Sequence, residues 1–123
     1  MIRFYNGRVL TLTHGTALSG DEVWTDGDRI AYVGPAREGA GPFEREIDLR
    51  GDLLLPGFKD AHTHSAMTFL RSYADDLPLQ SWLFDKVFPL EARLTPEHIY
   101  AFTRLAILEY LSSGITASFD MYY

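Results

Sequence analysis

Over roughly the first fifty positions, apolar and polar residues alternate in short runs separated by turn residues, and beyond them the apolar residues recur at helical spacing. Positions 2–5 and 9–12 read as strands that meet at Asn6-Gly7, a dipeptide suited to a tight hairpin turn. Positions 22–25 and 29–33 flank Asp26-Gly27-Asp28, a second hairpin signal, and Gly34-Pro35 stops the later strand. The stretch 37–42, which holds Gly39 and Gly41, reads as a loop, and 46–49 as another short strand. The apolar run 53–58 is predicted to be a strand that continues through Asp60-Ala61-His62-Thr63-His64. A helix is expected over 77–91, with Asp75 or Asp76 placed to cap it. Thr95-Pro96-Glu97 opens a second helix as N-cap, first helical position and dipole-matched acid. Ile99, Phe102, Leu105, Ala106, Leu108 and Leu111 give that helix its apolar stripe, and Ser113-Gly114 ends it. The β-branched and aromatic run 115–119 follows as a strand.

Strand, helix, strand in that order implies a parallel pair, and parallel strands need layers on both faces. One such unit cannot close a barrel, so the chain is expected to be the front part of a larger structure. Two regions follow: a strand-rich 1–54 and a mixed α and β 55–123.

The composition narrows the function classes. Of 123 residues, 46% are hydrophobic, enough for a modest core, and 11 basic against 17 acidic side chains leave a formal charge of −6. No basic stripe offers a nucleic-acid backbone a partner. With no cysteine, neither a disulfide framework nor a thiolate metal site is available. The opening residues lack the basic start and apolar middle of a signal peptide, and no run reaches transmembrane length. The expectation is a cytoplasmic protein with neither nucleic-acid nor membrane partners.

His62 and His64 carry the candidate chemistry. Side chains alternate faces along a strand, so two imidazoles two residues apart can meet one metal ion. A pair of surface or core histidines has the same spacing, and context decides between the two. Here the context is Leu55-Pro56-Gly57-Phe58-Lys59-Asp60-Ala61-His62-Thr63-His64, which resembles the first-strand signature of the amidohydrolase superfamily. Ser65-Ala66-Met67-Thr68, Ala74-Asp75-Asp76-Leu77, Trp82-Leu83 and Pro89-Leu90-Glu91-Ala92-Arg93-Leu94-Thr95 resemble the deaminases of S-adenosylhomocysteine, 5′-methylthioadenosine and adenosine. Gly114-Ile115-Thr116 through Asp120-Met121-Tyr122 is similar to the second barrel strand of that group.

The resemblance implies the N-terminal portion of a β-sandwich plus (β/α)8 TIM-barrel metal-dependent hydrolase. Residues 1–54 would be the strand-rich part of the small sandwich, and 55–123 the first strand-helix-strand unit of the barrel. It implies that His62 and His64 are the first two ligands of one divalent metal, zinc, iron or manganese. Further ligands from later strands, and the groups that move protons beside the metal, have no counterpart here, so no catalytic residue is expected in this chain and the 123 residues alone are expected to be inactive. Glu91 would accept hydrogen bonds from the ribose hydroxyls, and Trp82 would wall the base and sugar pocket. Asp60 and Asp120 would support the ligands. Lys59 departs from the pattern, because an apolar residue often stands there; on an alternating strand it points with Ala61 and Thr63, away from the histidines.

The residues also carry plainer readings. Glu91 can be a solvated residue late in a helix, Trp82 a core aromatic, and Asp60 a backbone acceptor. Asp120 sits at a strand end, Asp75 and Asp76 read as cap and surface, and His98 and His14 as solvated. The activity implied is deamination of an adenosine-type nucleoside to its inosine form. The alternatives are an amidohydrolase acting on guanine, cytosine or s-triazine rings, and a non-catalytic fragment that needs a complementary chain. Glu91 discriminates, since a free base or a triazine has no ribose diol to hold. The partners implied are the nucleoside and the rest of the barrel, from the same polypeptide or a second chain, with homo-oligomers also compatible.

Overall fold

A computed structural model describes residues 1–13 and 18–122, so His14 and Tyr123 lie outside the described residues. The chain forms two compact units, Met1–Pro56 and Gly57–Tyr123.

Among the described residues the first unit contains seven strands: β1 (Ile2–Tyr5), β2 (Arg8–Leu10), β3 (Leu18–Ser19), β4 (Glu22–Asp26), β5 (Arg29–Gly34), β6 (Arg45–Asp48) and β7 (Leu53–Leu54). They make a four-stranded sheet in the order β5-β4-β1-β6 and a three-stranded sheet in the order β3-β2-β7. Asp26-Gly27-Asp28 closes the β4–β5 hairpin as expected, with Asp26 opposite Arg29 and Gly27 at φ 56°. Asn6-Gly7 does not make a hairpin. It carries the chain from β1 in one sheet to β2 in the other, and β1 pairs instead with β4 and β6. The dipeptide specifies positive φ at Asn6 (57°) but not which strand lies alongside. The return crossing between β6 and β7 runs beside it: Gly51 N–H donates to Asn6 O at 2.7 Å and Asn6 Nδ2 to Asp48 Oδ1 at 2.7 Å.

Val9, Val23 and Trp24 form the buried core of this unit. Trp24 packs on Tyr32 and Phe43, with ring centres 4.3 and 5.1 Å away. Glu22 is buried with them and accepts from Trp24 Nε1 at 2.9 Å and from the Arg3 guanidinium, whose Nε lies at 2.9 Å.

The second unit begins with β8 (Phe58–Thr63) and ends with β9 (Ile115–Asp120), which pair in parallel as the strand-helix-strand order requires. The expected continuous strand from position 53 through the histidines is two strands. Pro56 has no N–H for a ladder, and Gly57 allows a close approach: a Cβ there would stand 2.3 Å from Thr116 Cγ2 and Oγ1. Gly57→Ala should therefore lower the unfolding free energy by about 1–3 kcal/mol, the usual range for overpacking. Denaturant unfolding of the intact protein checks this; a midpoint equal to the parent's would show that Thr116 yields without cost.

Between these strands lie a 3-10 turn (Ser65–Leu70), α1 (Leu79–Ser81), a π-wound stretch (Trp82–Val87), α2 (Phe88–Glu91) and α3 (Pro96–Ser112). The first helix starts at Leu79 rather than 77, behind Pro78 and without a side-chain cap; Asp76 stands at φ 55°, outside the helix. Its middle is widened, so that Phe88 N–H bonds to Leu83 O, five residues back. Pro89 follows and has no N–H to return to Asp85, which removes the regular bond at this point. Thr95 caps α3 as predicted: its hydroxyl accepts His98 N–H at 3.4 Å, and His98 Nδ1 accepts Thr95 N–H at 3.2 Å. Exposed His98 is thus part of a capping box. Gly114, at φ 76°, ends the helix.

The stripe on α3 divides. Ala106 is buried and Phe102 stacks on Phe69 with ring centres 5.1 Å apart, whereas Leu108 and Leu111 are each 65% exposed. Thr68 Oγ1 donates to Phe102 O at 3.0 Å, and Arg71 pairs with Glu109 at 2.6 Å. The turn after the histidines is therefore riveted to α3. Among the described residues no helix is long and apolar enough to cross a membrane.

Candidate metal and substrate site

β8 delivers His62, and the residue after its last position is His64, where the chain leaves the strand at φ −131° and ψ 75° and enters the 3-10 turn. Both imidazoles are exposed, with ring centres 5.0 Å apart and planes at 88°. A metal–nitrogen bond of about 2.0–2.1 Å, with the ring centre about 1.1 Å further on, puts two ring centres about 5 Å apart around a tetrahedral ion. The observed spacing suits a shared ion.

The tautomer of His64 fits as well. Its Nδ1 lies 3.1 Å from Met121 O, a carbonyl that can only accept. The bond therefore places the proton on Nδ1 and leaves the Nε2 lone pair free, the arrangement a metal ligand needs. Among the described residues no group of three or more His, Asp or Glu side chains assembles here, so the pair offers part of a coordination shell and not the whole.

Two carboxylates brace the main chain around the pair. Asp60 Oδ1 accepts His62 N–H at 3.1 Å, and Asp120 Oδ1, at the end of β9, accepts Ser65 N–H at 3.2 Å. Lys59 takes no part: its Nζ donates to Thr116 Oγ1 at 2.9 Å.

His64, Met67, Thr68, Leu70, Arg71 and Trp82 line a cavity of about 350 Å³. Its lining thus includes one imidazole of the pair, the Trp82 indole and apolar surface from Met67 and Leu70. Glu91 is not among its walls. Half-buried at the end of α2, it faces the Tyr122 hydroxyl beyond β9; burial, and then this carboxylate, push that hydroxyl above its ordinary pKa. The sequence reading named both histidines, Trp82, Glu91, Asp60 and Asp120; of these, all but Glu91 stand around His62 and His64 or their cavity. It missed Met121, Tyr122 and Arg71. A tyrosine after a strand end is a weak signal, and a backbone carbonyl leaves none.

Residues 53–123 match the amidohydrolase family. The chain is 54% identical over 94 residues to a 5-methylthioadenosine/S-adenosylhomocysteine deaminase of Syntrophomonas wolfei, an alignment covering 76% of this chain and 22% of that protein. It superposes on an adenosine deaminase from Xanthomonas campestris with bound zinc at a TM-score of 0.92 and 32% identity, covering 99% of this chain and 29% of the other. An atrazine chlorohydrolase from Arthrobacter aurescens complexed with zinc superposes at 0.85 with 26% identity, covering 98% and 28%. The chain spans about a quarter of the length of these relatives.

Proposed function

We propose, taking as premise that the chain belongs to the amidohydrolase family, that it contributes the opening section of a metal-dependent hydrolase that deaminates adenosine-type nucleosides. In this reading residues 1–54 are part of a small β-sandwich and 55–123 the first strand-helix-strand unit of a (β/α)8 barrel, the rest coming from the same polypeptide or a complementary chain. The exposure of Leu108, Leu111 and Phe119 supports it, since large apolar side chains on a helix and a parallel strand call for further cover.

The observation that carries the reading is that His64 belongs both to the imidazole pair and, with Trp82, to one cavity wall. His62 and His64 hold one divalent metal, zinc by likeness to the two zinc-bearing neighbours. The chemistry such a metal supplies is activation of water at neutral pH for attack on C6 of the purine. The chain's own residues bind and orient. Trp82 covers the ring system, Met67 and Leu70 exclude water beside it, and His64 Nδ1–H donates to Met121 O. Asp60 and Asp120 keep the main chain around the two imidazoles in place. The Glu91 carboxylate accepts hydrogen bonds from the two vicinal ribose hydroxyls, which a carboxylate can do at once.

A second reading, hydrolysis of an amino- or chloro-substituted triazine, draws on the atrazine chlorohydrolase likeness. Glu91 separates the two. Glutamine keeps one acceptor oxygen, so the loss of one charge-assisted hydrogen bond, worth about 1.5–3 kcal/mol, predicts that Glu91→Gln lowers kcat/KM for a nucleoside by about ten- to a hundredfold. Ammonia release by the intact protein is to be measured with adenosine, 5′-methylthioadenosine, S-adenosylhomocysteine, guanine, cytosine and an s-triazine. Turnover of the nucleosides, sensitive to Glu91→Gln, is the expected result. Turnover of the triazine alone, or nucleoside kinetics indifferent to Glu91, would favour the second reading.

A further inference from the structure

The direction of the His64 imidazole has to be fixed by something other than packing, because the side chain is exposed and sits at the single residue between β8 and the 3-10 turn. Its backbone torsions are set by where Thr63 and Ser65 lie. Both of those neighbours reach one atom, the hydroxyl of Tyr110 on α3. Tyr110 Oη bonds to Thr63 Oγ1 and lies 2.9 Å from Ser65 Oγ. A phenol has one donor and can accept as well, so one bond can be donated and the other accepted. Ser65 is only 4% exposed, and its N–H is already taken by Asp120; Thr63 O in turn accepts Met121 N–H at 2.9 Å. The same Met121 gives its carbonyl to His64 Nδ1.

We propose that Tyr110 is a positioning residue for the metal site: its hydroxyl ties both neighbours of His64 to α3 and so aims the imidazole. This rests on the reading of His62 and His64 as metal ligands. Tyr110 touches neither metal nor substrate, and it acts by holding a three-residue segment whose middle member carries the ligand. Loss of a group that orients a ligand usually weakens metal binding by about 10–100-fold, and a ligand set displaced by about half an ångström loses its preorganisation.

The test is zinc affinity, measured on the intact protein stripped of metal by competition with a chromophoric chelator. Tyr110→Phe removes the hydroxyl and keeps the ring. It should raise the zinc Kd at least about tenfold, and the effect should vanish when the substitution is made in a His64→Ala background, because there is then no imidazole to aim. A Kd within twofold of the parent overturns the proposal. So does an equal weakening with and without His64, which would mean that Tyr110 acts through general packing. If Tyr110→Phe does not fold, Ser65→Ala, which removes one of the two tethers, is read by the same criteria. Zinc affinity unchanged by His64→Ala itself would instead overturn the ligand reading beneath the proposal, so the two failures are distinguishable.

Discussion

Replacing His62 by alanine should leave the intact protein nearly free of metal after dialysis, and His64→Ala should do the same. In the proposed site the two imidazoles, with ring centres 5.0 Å apart, chelate one ion, and removing either one takes away a ligand and the chelate between them. The affinity loss should exceed the 10–100-fold typical of groups that merely orient a ligand. Activity should fall with metal content, since activation of water at neutral pH depends on the ion. Elemental analysis of the purified variants, beside the parent, makes the measurement. His98→Ala is the fitting control: it removes an exposed imidazole that completes the α3 capping box, so it should trim helix stability by about 1 kcal/mol and leave metal content at the parental value. Parental metal in both His62→Ala and His64→Ala would end the ligand assignment.

Glu22→Gln should cost about 3 kcal/mol of stability near neutral pH, in the range for breaking a buried ion pair. Glu22 is 4% exposed, and its two oxygens accept from Arg3 and from Trp24 Nε1. A glutamine keeps one acceptor and turns an NH2 group towards donors, leaving the Arg3 guanidinium with only Glu46 to balance it. The pH dependence follows from the sign of the shift. The Arg3 guanidinium, and after it the Trp24 indole, hold the Glu22 carboxyl below the ordinary glutamate range despite its burial. A carboxyl whose folded pKa is depressed stabilises the fold fully above its unfolded value, about 4.3, and that contribution is lost as pH falls through the depressed folded value. Parent and variant should differ by a constant amount from neutral pH to about pH 5 and converge under more acid conditions. Hydrogen exchange over positions 2–5 and 22–26 in the intact protein reads the effect locally. An undiminished gap at about pH 2 would show that charge is not its source.

The elements that could be read from sequence are those whose determinants lie within a few residues. Thr95-Pro96 fixed the start of α3 because a cap is a contact between neighbours, and Asp26-Gly27-Asp28 marked the β4–β5 hairpin because the strands it joins do pair. Asn6-Gly7 misled because a turn dipeptide sets torsions and not partners; β1 found β4 and β6 instead. The helix expected over 77–91 was right in kind, but its late start and widened middle depend on how Pro78 and Pro89 are accommodated. The two-residue β3 is too short to leave a period.

The candidate site divides in the same way. His62 and His64 lie two apart, so their approach is a local property of a strand and its end, and the sequence by itself determined it. The placement of the Nδ1 proton and the aim of His64 depend on Met121 O, 57 residues away, and on the Tyr110 hydroxyl, reached from Thr63 and Ser65 at separations of 47 and 45. Those contacts exist only once β9 has paired in parallel with β8 and α3 has packed on the turn between them. No periodicity encodes a distance of that kind; the tertiary structure alone decided it, because chain closure brings together groups that the order of residues leaves far apart.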